Sequence, residues 1–190
     1  MKENILHSIK ESIEVKQKLF EDQKVVEQID YISKIIVESL KNGGRVLFCG
    51  NGGSAADAQH LSAELSGRFK IDREPLDAEA LHVNTSYITA VGNDYSYDEI
   101  FSRLVKAKGR PGDVIIGLST SGNSKNVVKA FQVAKEKNMK IIALTGQKEN
   151  NMEKIAHCCI KVPSLDTARI QESHIMIGHI ICDLVEKSMF

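Results

Sequence analysis

Apolar residues recur at helical spacing through the first forty positions of the chain. The first series is Ile5, Ile9 and Ile13, and the second, after Phe20, is Ile29, Ile32, Ile36 and Leu40. This spacing predicts two amphipathic helices, and the Asn-Gly-Gly turn at 42–44 predicts where the second one ends. We expect the apolar stripes to pack on the core or on a second subunit, and their length favours a second subunit.

From residue 45 the pattern changes to short apolar runs bounded by turn residues. The runs that predict strands cover residues 45–50, 78–83, 113–119, 140–146 and 157–163. The helical patterns between and after them cover 53–68, 95–106, 124–138, a short segment near Met152, and 168–189. Strands that alternate with helices predict a parallel sheet with helices on both faces. We therefore expect a single three-layer α/β domain over residues 1–190, with residues 1–42 as an N-terminal helical extension.

Charge and cysteine content exclude several classes of protein. The 190 residues carry a formal net charge of zero and no basic block, which argues against a nucleic-acid partner. No apolar run has the length of a membrane span, and the first residues lack the apolar core of a secretory signal. The four cysteines form no CxxC motif and are typical of reduced thiols. We expect a cytoplasmic protein with neither nucleic-acid nor membrane partners.

A hydroxyl-rich turn follows the third predicted strand. Ser119, Thr120, Ser121 and Ser124 surround a Gly-Asn pair directly before a helix. Ligands bind at the carboxyl edge of a parallel sheet, where hydroxyls, curled backbone N–H groups and a helix N-terminus together suit a phosphate. The alternative is that these residues only cap the helix. Four hydroxyls in six positions favour a phosphate site, and its uncharged donors suit a sugar phosphate.

A glycine-rich turn follows the first predicted strand. Gly50, Gly52 and Ala55 match the alanine-ending form of the dinucleotide-binding fingerprint. However, no acidic residue closes the next strand at the spacing that this motif requires. The hydroxyl-rich turn also has no role in a plain dinucleotide domain. We therefore predict no nucleotide cofactor and rank a Rossmann-type oxidoreductase below the other functions.

Two groups of polar residues have the chemistry for proton transfer. His60 and Glu64 are four residues apart, so they share one face of a predicted helix, although surface pairs with this spacing are common. The last predicted helix contains Gln171, Glu172 and His179 within a strongly apolar sequence. His179 lies in the part of this helix that looks most buried, where a histidine is more often a core residue than a catalyst. Helical rotation does not decide whether Gln171 or Glu172 is its partner.

Several segments of the chain, in order and with family spacing, resemble a known enzyme family. They are the helical N-terminus, CGNGGSAADAQHLSAEL at 49–65, GND at 92–94, GDVIIGLSTSGNSKNV at 112–127, LTG at 144–146 and ARIQESHIMIGHIICDLVE at 168–186. Together they cover nearly the whole chain and resemble the phosphoheptose isomerases, which have the flavodoxin-like sugar isomerase (SIS) fold.

The resemblance implies a reaction, an assembly and a metal. Members of this family convert sedoheptulose 7-phosphate to D-glycero-D-manno-heptose 7-phosphate, which supplies nucleotide-activated heptose for lipopolysaccharide, capsule or other surface glycans. They are cytoplasmic homotetramers whose helical extensions lie in subunit contacts, which would account for the stripe from Ile29 to Leu40. Several members bind zinc, so the resemblance implies one zinc ion per subunit.

The resemblance also implies roles for individual residues. The substrate-binding positions of the family, including its phosphate loop, correspond to Asn51, Gly52, Gly53, Glu64, Arg68, Asn93, Asp94, Ser119, Thr120, Ser121, Ser124 and Gln171. Its zinc positions correspond to His60, Glu64, Gln171 and His179. Glu64 and His179 also correspond to its proton-transfer residues. Ala168 stands where some members carry an aspartate, and we expect little effect on the chemistry.

Moving a carbonyl group between C1 and C2 of a sugar requires one proton to leave carbon and another to pass between oxygens. Our hypothesis is that Glu64 takes the carbon proton and His179 serves the oxygens, with the reverse assignment left open. A zinc ion that bound both side chains would leave neither as a free base, and could instead polarise the carbonyl.

Two other functions are compatible with an SIS fold. One is a non-catalytic protein that binds the replication initiator, and the other is a regulator that binds a sugar phosphate. The presence of both Glu64 and His179 favours the enzyme over the first alternative. We rank the second lower because such regulators usually carry an attached DNA-binding module, for which we expect no room in these 190 residues.

Overall fold

Five parallel strands form the central sheet of the computed structural model, which describes residues 1–190. The strands are β1 (Val46–Cys49), β2 (Ala78–Ala80), β3 (Val114–Ser119), β4 (Lys140–Gly146) and β5 (Cys158–Val162). The helices are α1 (Lys2–Glu21), α2 (Gln23–Lys41), α3 (Gly53–Ser66), α4 (Thr85–Asp94), α5 (Ile100–Lys108), α6 (Lys125–Glu136) and α7 (Thr167–Met189). A single turn of 3-10 helix, Tyr97–Glu99, leads into α5. None of the helices has the length and apolar character of a bilayer-spanning segment.

The strands lie in the order β2-β1-β3-β4-β5, and every neighbouring pair is parallel. Phe48 of β1, for example, pairs with Ala80 of β2 and with Ile116 of β3. Both β1 and β3 are buried along their full lengths, as expected of strands that are covered on both faces. The predicted five-stranded parallel sheet is therefore confirmed.

Helices cover both faces of the sheet, and each face has its own apolar core. Adjacent residues of β1 point to opposite faces, so Phe48 packs in one core and Leu47 in the other. The core around Phe48 also contains residues of α2, α3 and α7, among them Ile36, Leu61 and Ile177. The core around Leu47 contains residues of α4, α5 and α6. The predicted three-layer α/β fold with an N-terminal pair of helices is confirmed.

The apolar stripes of the two N-terminal helices differ in what they contact. On α2, Ile32 and Ile36 are fully buried in the core around Phe48, because this helix lies against α7 and the sheet. Of the two expectations for the stripe of α2, packing on the core is therefore confirmed, and the preference for a second subunit is wrong for these residues. On α1, by contrast, Ile5, Ile9 and Ile13 are 56%, 52% and 61% exposed.

Helix α4 was not predicted from the sequence. Its residues TSYITAVGND include β-branched side chains and a glycine, which disfavour a helix. Asn84 stabilises its first turn, because Oδ1 accepts a hydrogen bond from the backbone N–H of Tyr87 at 3.0 Å. The helix predicted at 95–106 begins later than expected, at Ile100.

The short helix predicted near Met152 is also wrong. Residues 151–155 form turns, and Asn150 Oδ1 accepts a hydrogen bond from the backbone N–H of Glu153 at 2.9 Å. Met152 itself is fully buried, so its apolar character reflects a core contact made from a turn. Strand β2 is confirmed in position but is only three residues long.

A buried carboxylate fixes the segment after α3 against α7. Glu186, which is only 2% exposed, accepts hydrogen bonds from the backbone N–H groups of residues 69–71 and from Arg73 Nε. Burial acts to raise the pKa of Glu186, but these donors hold it below its ordinary value. The segment that carries Phe69 is thereby held beside the C-terminal half of α7.

Candidate functional site

The crevice expected for a ligand lies between β1 and β3. After β1 the chain proceeds to β2 on one side, and after β3 it proceeds to β4 on the other side. In a parallel sheet this reversal opens a crevice at the carboxyl edge. The glycine-rich turn follows β1 and the hydroxyl-rich turn follows β3, so both predicted ligand turns border the same crevice.

The hydroxyl-rich turn brings three serine side chains together. Ser119 Oγ lies 2.9 Å from Ser124 Oγ and 3.4 Å from Ser121 Oγ. Gly122 has φ of +63°, a conformation that favours glycine, and its N–H turns back to Ser119. The neighbouring Asn123 does not have a positive φ.

The side chain of Ser124 does not cap α6. Ser124 is the residue before the helix, yet its side chain makes no capping hydrogen bond. Its hydroxyl points instead to Ser119 within the turn. The positive end of α6 and the serine hydroxyls therefore face the same turn, which suits an anion.

A cleft of about 340 Å³ opens beside this turn. It is lined by Thr120, Ser121 and Asn123 of the turn and by Lys148 and Ser164, which follow β4 and β5. Sequence reasoning required no lysine near the hydroxyls and missed Lys148. The only signal would have been its place two residues after a strand that ends at the same edge of the sheet.

The glycine-rich turn is tied across the crevice to α6. Gly52 has φ of +57° and ψ of −123°, which glycine adopts far more readily than other residues. Asn51 Nδ2 donates to Asn126 Oδ1 at 2.9 Å, and Asn126 Nδ2 donates to Asn51 Oδ1 at 2.8 Å. The hydroxyl of Tyr97 donates to Asn51 Oδ1 at 3.2 Å. Sequence reasoning missed Asn126 and Tyr97.

His60, Glu64 and His179 form a cluster, although His179 is 119 residues from His60 in the sequence. His60 Nε2 lies 2.9 Å from Glu64 Oε1 and 3.0 Å from His179 Nε2. The three candidate ligand atoms lie within 4.8 Å of one another. The ring of Phe69 stacks on His179 with centroids 5.7 Å apart.

The two histidines of α7 have opposite environments. His179 is half-buried beside His60, so the expectation that it lies in the most buried part of the helix is wrong. The core histidine is His174, which is fully buried with Nε2 3.2 Å from the carbonyl oxygen of Thr145. Burial lowers the pKa of His174 to about 4, so it is neutral at physiological pH.

Gln171 and Glu172 point to different neighbours. Glu172 accepts hydrogen bonds from Ser12 of α1 at 2.7 Å and from Arg169 at 2.6 Å. Burial acts to raise the pKa of Glu172, but these donors and Lys16 hold it below its ordinary value. Glu172 therefore ties α1 to α7 and is not a partner of His179.

Gln171 lies against the start of α3. A Cβ atom at Gly53 would be 2.6 Å from Gln171 Nε2, so the glycine makes room for the amide. Because His60 follows Gly53 by seven residues, the two lie about 10 Å apart along the helix axis. One chain thus brings together His60, Glu64 and His179 but leaves Gln171 apart from them.

The remaining predicted positions lie on the surface. Arg68 is exposed and follows the C-terminal end of α3. Because α3 is 14 residues long, Arg68 lies about 20 Å from Gly53, away from the turn where a phosphate was expected. Asn93 and Asp94 are exposed at the end of α4, where Asn93 Nδ2 donates to Asp94 Oδ1 at 2.9 Å.

Comparison with known proteins assigns this fold and sequence to one group. The SIS domain profile matches residues 9–146. The chain is 51% identical over its full length to the phosphoheptose isomerase of Clostridium acetobutylicum, covering 97% of that protein. It superposes on the phosphoheptose isomerase structure from Neisseria gonorrhoeae with a TM-score of 0.92, 42% identity and 98% coverage of both chains. The phosphoheptose isomerase structure from Francisella tularensis superposes with a TM-score of 0.93, 36% identity and 97% coverage of both chains.

The orientation of Ser124 predicts a small effect of its hydroxyl on stability. We expect Ser124→Ala to lower the free energy of unfolding by about 0.5 kcal/mol, because it removes the hydrogen bond with Ser119 but no capping hydrogen bond. Asp166→Ala is the matched control, since Asp166 caps α7 by accepting from the N–H of Arg169 at 3.0 Å, and its loss should cost about 1 kcal/mol. Urea unfolding followed by circular dichroism measures both. Equal losses would contradict this account of Ser124.

Proposed function

The chain belongs to the phosphoheptose isomerases of the SIS domain family, and we propose that it converts sedoheptulose 7-phosphate to D-glycero-D-manno-heptose 7-phosphate. The observation that carries the proposal is the convergence of Glu64 and His179 on His60. The product would supply nucleotide-activated heptose for lipopolysaccharide, capsule or another glycan. We place the reaction in the cytoplasm, in keeping with the free thiols at Cys49, Cys158, Cys159 and Cys182.

The phosphate of the sugar is held, in this proposal, by the turn at Ser119–Ser124. Its donors are serine hydroxyls, backbone N–H groups and the positive end of α6. The hydroxyl of Ser124 is available because it does not cap the helix. Lys148 at the edge of the cleft adds a positive charge.

Glu64 and His179 are proposed as the acid/base pair. A carboxylate and an imidazole that lie close together can move a proton from carbon and serve the sugar oxygens. Glu64 is mostly buried, with 24% of its side chain exposed, and Phe69 shields one face of His179. This environment limits the access of water to the two groups while leaving both able to reach a ligand.

The same cluster has the chemistry of a zinc site, and we propose one ion per subunit. Imidazole nitrogen and carboxylate oxygen are ligands that zinc prefers. Nε2 of His60 carries at most one hydrogen, yet it lies within hydrogen-bond distance of both Glu64 and His179. The candidate ligand atoms of His60, Glu64 and His179 lie within 4.8 Å of one another, so one cation could accept a lone pair from each of them. An ion held by Glu64 and His179 would occupy their lone pairs, so the two side chains would act as acid and base only without it, and zinc would instead polarise the carbonyl group of the sugar.

We further propose that two copies of the chain complete each site within a homotetramer. Glu64 follows Gly53 by eleven residues, so it lies about 16 Å along α3 from the turns that border the crevice. Arg68 lies still farther along. A neighbouring copy can bring its own α3 and α7 to the crevice of this chain. Its cluster of His60, Glu64 and His179 then lies next to Gln171 of this chain. The exposed apolar side chains of α1, Ile5, Ile9 and Ile13, offer surface for such a contact.

Removal of either proposed acid/base group should abolish turnover. We expect Glu64→Gln and His179→Ala to lower kcat by about 100-fold or more, measured by NMR as aldose formation from sedoheptulose 7-phosphate. His7→Ala is the control, because His7 and Glu11 form an exposed pair with the same spacing as His60 and Glu64. A wild type that binds the replication initiator and shows no turnover would favour the non-catalytic alternative.

The metal proposal predicts binding of cobalt(II), a spectroscopic substitute for zinc. Titration of the metal-free protein should produce visible absorption bands typical of cobalt with nitrogen and oxygen ligands. His60→Ala should abolish them, because it removes the central member of the cluster, whereas His7→Ala should not. Bands that persist in His60→Ala would place the metal elsewhere.

The two-copy site predicts complementation between inactive variants. Glu64→Gln lacks the proposed base, and Ser121→Ala/Ser124→Ala lacks the proposed phosphate donors. Co-expressed as mixed oligomers, they should recover about a quarter of wild-type activity, because random assembly pairs an intact turn with an intact Glu64 in that share of sites. A site built within one chain recovers no activity on mixing.

A further inference from the structure

The side-chain amides of Asn51 and Asn126 are hydrogen-bonded to each other across the crevice. Asn51 belongs to the turn after β1, and Asn126 belongs to the first turn of α6. Two reciprocal hydrogen bonds of 2.9 and 2.8 Å join them. Asn126 is only 3% exposed, so its amide cannot satisfy itself with bulk water.

A backbone group fixes the orientation of this pair. The N–H of Val127 donates to Asn126 Oδ1 at 3.0 Å. Because a backbone N–H can only donate, this end of the Asn126 amide must be oxygen. Nδ2 of Asn126 therefore faces Asn51, which must turn its own oxygen toward that donor.

Tyr97 reinforces the same orientation of Asn51. Its hydroxyl lies 3.2 Å from Asn51 Oδ1, so this oxygen has two neighbouring donors and its two lone pairs are used. Asn51 Nδ2 carries two hydrogens, and only one is donated to Asn126. The other hydrogen remains for a ligand, and Asn51 is half-buried at the crevice.

We propose that Asn126 and Tyr97 are positioning residues that hold Asn51 as a hydrogen-bond donor to an oxygen of the bound sugar phosphate. The inference rests on the proposed function, since it specifies how that substrate is recognised. An amide that is held in place needs no reorganisation when substrate arrives. A freely rotating amide would instead present its oxygen lone pairs to the sugar oxygen for part of the time.

Two substitutions of Asn126 separate the lost donor from other effects. Asn126→Asp keeps an acceptor for Val127 but cannot donate to Asn51. Asn126→Leu has a similar shape and adds no charge. We expect both to lower kcat/KM for sedoheptulose 7-phosphate about tenfold, the value of roughly one hydrogen bond, and Tyr97→Phe to have a smaller effect. A loss in Asn126→Asp alone would show that charge is responsible and would overturn the inference.

A double-mutant cycle tests whether Asn126 acts through Asn51. In an Asn51→Ala background, substitution of Asn126 should have no further effect, because the amide that it positions is gone. Additive losses would mean that Asn126 only stabilises the fold, and would overturn the inference. Asn84→Asp is the charge control, because Asn84 caps α4 at the same edge of the sheet and aspartate caps equally well.

Calorimetric binding of sedoheptulose 7-phosphate, measured beside turnover, separates this inference from the proposed function. If the wild type binds the sugar without turnover, the proposed function fails. The double-mutant cycle, measured then as Kd, still tests the role of Asn126. If the wild type turns over and the cycle shows no coupling, only the positioning role fails. Absence of both binding and turnover would end both proposals. Thermal unfolding shows whether each variant is folded. If Asn126→Leu does not fold, the role of Asn126 is tested with Asn126→Asp.

Discussion

The close contact between α3 and α7 is the constraint on which the candidate site depends. Leu61 packs directly on Gly178, where any side chain would overlap with it. Glycine therefore allows the two helices to approach along this line, and the neighbouring His60 and His179 come within 3.0 Å of each other. The apolar core on this face of the sheet stabilises the contact between the two helices.

The proposed function separates the groups that would bind the anion from those that would carry out acid/base chemistry. The groups proposed to bind the anion lie in the two turns at the carboxyl edge, and they are the serine hydroxyls, the amide of Asn51 and the N-terminus of α6. The acid/base cluster lies farther along α3, beside the segment that Glu186 fixes against α7. Under this proposal a protein with no net charge would bind a sugar phosphate through fixed dipoles and one nearby lysine instead of a broad basic surface.

Most of the fold was predictable because it depends on local pattern. Short apolar runs between turn residues predicted all five strands, and the residues between them predicted most helices. The failures occurred where tertiary contacts outweighed local preference. Helix α4 forms from a sequence with poor helix propensity and is capped by Asn84, and Met152 is buried by a turn that resembles a short helix in sequence.

The sequence by itself determined the parallel sheet, the positions of the two ligand turns and the shared helix face of His60 and Glu64, because each depends on residues close together in the chain. Only the tertiary structure decided that His179 faces His60, that Glu172 turns to α1, and that Asn126 orients Asn51. The physical reason is that periodicity predicts which residues of a helix share a face but not how the helix is rotated against its neighbours. For α7, the packing of Leu61 on Gly178 sets that rotation.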